Sequence, residues 1–340
     1  MLEKLKLLKS LLKDKNIICP ICNTNIHKEG NIDIYISKYN KEKYKLYRCP
    51  NCDAEFWEPL KIIPDFYDKE GEEAYGLFHS GIRTMPYWQK SFFKYFPLKS
   101  GRILDIGCGD GIFLKEAQKK GFDVWGLDFD KKSIKISQEK FGLKNTYAMS
   151  LVNFTEFAIR QKIKFDVITF FEVLEHQDKP EEFINSVKSL LNNNGYIAGS
   201  VPNRESIIVK IERKLYQGDF PPHHFLRFSK KVILKFFLRN GFYDIETFLI
   251  HYPLIEYSAF IESVLTRNVG LKIKTAFKAI IRKHKNDMFV NDYSIKKKIV
   301  FNMLKTTRSI VFLPFAIISK PFLFLRFIEG NDIYFQAKLK

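Results

Sequence analysis

Two short cysteine turns restrict this chain more than any other feature. Cys19-Pro-Ile-Cys22 and Cys49-Pro-Asn-Cys52 carry four of its five cysteines, with 26 residues between the turns. A CxxC turn presents two thiolates together, and two such turns can close a tetrahedron around zinc. Between them, Ile32–Ile36 and Tyr44–Tyr47 alternate as strands joined by the polar stretch SKYNKEK. The pattern predicts a zinc ribbon over residues 16–60, with the metal held by Cys19, Cys22, Cys49 and Cys52. A thioredoxin-like redox pair needs one CxxC in a βαβ setting, not two matched turns. Four protein ligands would leave the metal no open position, so its role would be folding or docking and not chemistry.

Ahead of the ribbon, Leu2, Leu5, Leu8 and Leu12 share one helical face, which predicts an amphipathic helix over residues 1–15. This stretch never holds more than two apolar residues together. A signal peptide needs an unbroken apolar stretch of roughly 7–15 residues, and a membrane span about 20. The expectation is therefore a cytoplasmic protein.

After linking helices over residues 61–99, strands and helices alternate from residue 100 to 250. Arg102–Ile106 reads as a buried strand, Gly107–Gly111 as a turn, and FLKEAQKKG as a helix; Asp123–Asp128, Thr146–Met149, Phe165–Phe170 and Tyr196–Val201 read as further strands. Such alternation predicts an α/β, doubly wound parallel sheet with ligands at the carboxyl ends of its strands. The glycine loop is G-x-G-x-G, not the dinucleotide G-x-G-x-x-G. Asp105 lies just ahead of it. Asp128 follows 21 residues after Gly107, where a carboxylate can accept both hydroxyls of a ribose.

LDIGCGDG, VWGLDFD, FDVITFFEVLEHQDKP and LNNNGYIAGSVPN, in that order, resemble successive motifs of the class I S-adenosylmethionine-dependent methyltransferases. The EVLEH run is similar to that of the ubiquinone-biosynthesis O-methyltransferases. The ribbon followed by PDFYD resembles an arrangement in methyltransferases of sugar and surface-glycan pathways. The resemblance implies a Rossmann-like seven-stranded methyltransferase sheet that binds S-adenosyl-L-methionine. It would set Gly107 and Gly109 against the methionine part, Asp105 near its amino group and Asp128 on the ribose, with Phe129 and Leu151 flanking the adenine. Cys108, Gly111 and Phe171 complete the implied cofactor set, Cys108 as a small turn residue without a thiolate role. The segment Met149-Ser150-Leu151 lacks the Asp that often meets the adenine amine, so Ser150 or a backbone contact would substitute.

Methyl transfer is an in-line displacement for which positioning supplies much of the catalysis. A hydroxyl acceptor also needs a base for its proton. His176, after the fourth core strand, and His223 and His224, after the fifth, are the candidates. His176 could equally cap a helix or bond a neighbouring carboxylate, whereas Asp130 and Asp166 read as capping or solvated residues.

The last two strands of the resembled fold are adjacent, yet here Asp244–Ile250 and Asp332–Ala337 are separated by a helical, basic and apolar insertion over residues 251–330, leaving 331–340 as the last core strand. The whole chain carries a formal charge of +18, and residues 267–310 hold 12 Lys or Arg against 2 Asp. A surplus of this size implies an anionic partner. Ile295, Ile299, Val300, Met303, Leu304 and Ile310 share a helical face, and the apolar run after Ser309 is broken by Pro314, Lys320 and Pro321. Residues 267–328 are therefore expected to attach peripherally to an anionic membrane surface, or else to pack as a lid. The leading expectation is methylation of a small-molecule or lipid-linked acceptor, glycan or quinone-like, at the cytoplasmic membrane face. The alternative is an RNA methyltransferase whose ribbon and basic surface grip phosphates.

Overall fold

The computed structural model describes residues 17–63, 66, 79, 83–215, 219–265, 313–314, 316–318 and 330–340. The predicted N-terminal helix over residues 1–15, most of 64–82, and the basic helical face at 295–310 lie outside the described residues.

Each cysteine turn is closed in the same way. Cys19 N–H donates to the Thr24 carbonyl and Asn23 N–H to that of Cys19, as Cys49 N–H donates to Ala54 and Asp53 N–H to Cys49. The residue after each second cysteine, Asn23 or Asp53, takes a left-handed φ of 59° or 68°. Short polar side chains tolerate that conformation best among non-glycine residues. Strands β1 (Ile17–Ile18) and β2 (Asn25–Ile26) flank the first turn, while β3 (Asn31–Ile36), β4 (Lys43–Arg48) and β5 (Glu55–Glu58) form an antiparallel sheet.

The core sheet contains β6 (Gly101–Ile106), β7 (Phe122–Asp128), β8 (Thr146–Ala148), β9 (Phe165–Phe171) and β10 (Leu191–Pro202). After β11 (Leu226–Arg227), which belongs to the ribbon sheet, come β12 (Phe242–Ile250) and β13 (Asp332–Leu339). The order is β12-β13-β10-β9-β6-β7-β8, and β13 alone among these runs antiparallel to its neighbours. The seven-stranded α/β sheet expected from the motifs is thus present, with the last two strands paired across the insertion. Both faces are buried, as a parallel sheet requires. Leu104, Ile168 and Phe170 belong to one apolar cluster, Ile103, Val167 and Ala198 to the other.

Among the described residues the named helices are α1 (Tyr87–Tyr95), α2 (Ile112–Lys119), α3 (Lys131–Glu139), α4 (Leu151–Arg160), α5 (Pro180–Leu190), α6 (Ile207–Leu215), α7 (Lys230–Arg239) and α8 (Leu254–Leu265). Helix α4 is not anticipated from the sequence. Ser150 caps it by accepting from Asn153 N–H at 3.2 Å, and Phe154 and Ala158, one turn apart, are buried beneath it.

The ribbon is continuous with the core. β11, directly after the histidine pair, aligns antiparallel with β5, setting Leu226 opposite Phe56 and Arg227 opposite Glu55. One apolar cluster runs from Tyr44, Phe56 and Trp57 through Phe225 to Leu104 and Ile168. Met1–Ile250 with Asn331–Lys340 forms one compact unit and His251–Gly330 a second. In the second, α8 stacks Tyr257 on Phe260 at 6.0 Å between ring centres. Among the described residues no helix is long and apolar enough to cross a membrane.

Candidate functional site

Three glycines shape the loop between β6 and α2. Gly107, Gly109 and Gly111 all have left-handed φ, at 78°, 54° and 77°. A Cβ on Gly107 would meet Val173 Cγ2 at 2.7 Å, and one on Gly111 would meet Leu143 Cδ1 at 2.6 Å. A side chain at either position would be strained and would have to displace its neighbour. The N–H groups of Gly107 and Cys108 donate to the Leu127 carbonyl at 2.7 and 2.9 Å, tying the loop to β7.

Two carboxylates border the loop. Asp128 accepts from Gly109 N–H at 2.8 Å and from Asp130 N–H at 2.9 Å, and burial raises its pKa to about 6. Asp105 accepts from the Thr169 hydroxyl at 2.7 Å through Oδ1, whereas its buried Oδ2 has no hydrogen-bond partner. Burial raises Asp105 to about 8 despite the Thr169 bond, with the charge of Asp128 adding to the rise. A buried orphan oxygen is costly in an isolated chain and marks a seat for a donor or cation.

The other cofactor candidates divide. Phe129 is 54% exposed at the end of β7, and Leu151 is half-buried at the start of α4. The Ser150 oxygen is engaged in capping α4, which leaves its proton for donation. The Cys108 thiol is buried against Gly126, and burial pushes its pKa far up, so only its backbone faces the loop. The Phe171 ring, at the end of β9, is buried and edge-on to Phe113 at 4.9 Å. Asp130 is the N-cap of α3 and also accepts from His79, while Asp166 accepts from Arg102 N–H and Asn192; both are structural.

The three candidate histidines come together. Ring centres of His176 and His223, His176 and His224, and His223 and His224 are 4.7, 4.7 and 4.5 Å apart. His176 ends the 3₁₀ turn Leu174–His176, and its Nδ1 donates to the His223 carbonyl at 2.6 Å. That bond and a second backbone hydrogen bond, to Glu172, hold the ring in place. Burial and the neighbouring His224 hold His176 down to about 3, so the ring stays neutral. His224 Nδ1 donates to Asp219 at 3.1 Å; burial opposes its charge, but the Asp219 bond and the charge of Glu175 lift it above the usual value. One ligand atom from each of the three rings lies within 4.8 Å of the others, a spacing that a divalent cation could bridge.

Carboxylates that the sequence reading did not assign complete this pocket. Glu175 is buried with neither oxygen hydrogen-bonded; Oε1 lies 3.9 Å from His176 Nε2 and 4.0 Å from His224 Nε2, and burial raises its pKa to about 7. Glu172 sits at a left-handed φ of 55° and accepts from the Ser200 hydroxyl at 2.6 Å. Backbone strain of this kind costs about 1–3 kcal/mol and concentrates at functional sites. Asp219 connects the pocket to the ribbon. Arg227 lies 3.5 Å from Asp219 and donates at 2.8 Å to buried Glu55 on β5, while Arg204 pairs with Asp53 of the second cysteine turn. Glu175 was legible within EVLEH, but Asp219 carries no local signal.

The four cysteine sulfurs of the ribbon also converge. Cys19 and Cys52 are 3.6 Å apart, Cys22 and Cys49 3.4 Å, and none is disulfide-bonded. A tetrahedron with zinc–sulfur bonds of 2.3 Å has edges of roughly 3.8 Å. The thiolates fit that metal.

The family model described as a methyltransferase domain matches residues 83–247. Residues 83–247 are thus similar to a methyltransferase domain. Curated relatives include the ubiquinone biosynthesis O-methyltransferase of Bordetella avium, 31% identical over 144 residues, covering 39% of this chain and 59% of the relative. That of Vibrio parahaemolyticus is 33% identical over 106 residues, covering 30% and 44%. The chain thus spans about half the length of the curated relatives it matches. Among solved structures, a SAM-dependent methyltransferase from Archaeoglobus fulgidus is similar at 18% identity and a TM-score of 0.43, covering 81% of this chain and all of that one.

Proposed function

We propose that the chain transfers a methyl group from S-adenosylmethionine to a hydroxyl of a small-molecule or lipid-linked acceptor, glycan or quinone-like, at the cytoplasmic membrane face. The observation that carries the cofactor is the unpartnered Asp105 Oδ2 beside a loop whose three glycines all hold a left-handed φ. When bound, the cofactor supplies an electrophilic methyl group. Gly107 and Gly109 would let backbone approach its methionine part, Asp105 would take its ammonium, and Asp128 its ribose. His176, His223 and His224 lie after β9 and β10, at the same carboxyl end of the sheet, and one of them would receive the acceptor's proton. The reading is tested by supplying labelled cofactor to a lysate and following small molecules and lipids by mass spectrometry. A label confined to RNA would overturn the acceptor class, and no labelled product at all would overturn the activity.

Cofactor affinity should depend on pH with a definite sign. Asp105 has its pKa raised to about 8, so between pH 6 and 8 it is largely protonated in the free protein. A bound ammonium favours the carboxylate, so binding must release that proton. Affinity should rise with pH, by up to about tenfold per unit, and level off above about pH 8. Between pH 7 and 8, above the Asp128 transition near 6, calorimetry in buffers of different ionisation enthalpy would show the released proton, and Asp105→Asn should abolish both the slope and the release there. A flat profile in the parent protein would refute the ammonium assignment.

We further propose structural zinc on the four cysteines. The purified protein should contain one zinc per chain. Its removal should expose residues 17–58 to hydrogen exchange together with 221–228, because β11 is paired to β5, whereas β6 and β9 should stay protected. A metal-free preparation with a protected ribbon would refute the site.

A further inference from the structure

β3 is an edge strand of the ribbon sheet, whose order is β11-β5-β4-β3, and its two faces differ in kind. Tyr35 lies against Phe220 and Trp57, with ring centres 4.4 and 6.2 Å apart, and Asp33 pairs with Arg213 at 3.2 Å. On the other face Ile34 and Ile36 are 49% and 61% exposed, and Ile32, at the register shift between Asn31 and Asp33, is 51% exposed. Three apolar residues at alternate positions on an exposed strand make a continuous stripe, unlike scattered surface leucines. The register sets Lys45 opposite Ile34 and Lys43 opposite Ile36, so both lysines share the stripe's face. Lys38 and Lys41, both exposed, extend the cations around the hairpin turn, with one exposed acid, Glu42, among them. The acid on this face, Glu58, lies one strand further in, opposite Lys45, and accepts from Leu60 N–H.

We propose that this isoleucine stripe docks the ribbon hairpin onto an anionic lipid surface. The isoleucines would enter the boundary between headgroups and acyl chains, and Lys43 and Lys45 would meet anionic headgroups. A second copy of the chain fits less well, because lysines beside an edge strand repel a like edge. RNA would use the lysines and leave the isoleucines in water. The proposal rests on the membrane-face part of the reading above and is independent of the methyl-transfer part.

The test is co-sedimentation of the full chain with phosphatidylcholine vesicles, with and without phosphatidylglycerol. Binding should require the anionic lipid. The triple variant Ile32→Ser, Ile34→Ser, Ile36→Ser should lower partitioning by about tenfold or more, through lost apolar burial. Lys43→Glu with Lys45→Glu should lower it by about tenfold. Cofactor binding by calorimetry should be unchanged in both, which reports that the fold is intact. If only Phe312→Ser, Phe315→Ser, Ile318→Ser lowers partitioning, the stripe proposal fails while the membrane-face reading stands. If the parent chain binds no vesicles, both fail. A dimer that is lost in the triple isoleucine variant, without vesicle binding, would assign the stripe to a second copy and overturn the lipid proposal. Methyl transfer is scored separately by its labelled product.

Discussion

Replacing His224 with alanine should slow methyl transfer by about 10²–10⁴-fold, the usual contribution of a general base, with cofactor affinity unchanged. Of the three clustered imidazoles, His224 has a carboxylate behind it: Asp219 accepts from Nδ1 at 3.1 Å, while Nε2 is on the side of Glu175. A carboxylate in this position orients the ring, holds one tautomer and stabilises the charge formed when Nε2 takes a proton. His176 is held neutral at about 3, which suits a fixed acceptor or ligand better than a group that must carry a proton. His176→Ala and His223→Ala should therefore cost less than His224→Ala. Asp219→Asn should fall between, since it spoils orientation without removing the ring. Initial rates at saturating cofactor, for the acceptor identified by labelling, decide this. Equal large losses from all three histidines, with activity restored by added divalent cation after chelation, would identify a metal cluster instead of a base. Full activity in all three alanine variants would leave positioning as the whole of the protein's contribution.

The parts of this molecule that could be read in the sequence are those whose physics is local. Gly107, Gly109 and Gly111 were legible because a left-handed turn strains residues that carry a side chain, and Asp105 and Asp128 because they lie at the ends of consecutive strands around that turn. The paired CxxC turns were legible because each closes on itself within six residues. Helix α4 is hard to read in the sequence because its Ser150 cap is followed by no acidic residue in the first turn. The pathway from Glu55 through Arg227 and Asp219 to His224 is long-range: Glu55 and Arg227 are paired across separate parts of the chain by a two-residue strand. No periodicity or motif encodes such a contact. It gives the ribbon a consequence that the cysteine pattern alone could not suggest, since a strand leaving the second cysteine turn is also the strand that seats the histidine loop. Trp57 N–H donates to the Phe225 carbonyl at 2.9 Å, one residue beyond His224.

Asp128→Ala should weaken S-adenosylmethionine binding by about 10²-fold or more, the loss expected when two hydrogen bonds to an ionised carboxylate disappear at about 1.5–3 kcal/mol each. The carboxylate ends β7 beside the glycine loop and keeps capacity after accepting from Gly109 and Asp130, because two ionised oxygens offer about four acceptor positions. Those two backbone bonds complicate the alanine variant, which also frees the Gly109 and Asp130 N–H groups. Asp128→Asn separates the effects. Its amide oxygen can still accept one loop N–H, while its NH₂ group offers no acceptor to the second ribose hydroxyl. The asparagine variant should therefore keep the parent's melting temperature more closely than alanine does, yet still bind cofactor at least about tenfold more weakly. Calorimetry and thermal unfolding on the same preparations give both numbers. Unchanged affinity in Asp128→Asn would assign the carboxylate to holding the loop. Unchanged affinity in both variants would remove Asp128 from the cofactor site and force the ribose onto a different part of the cleft.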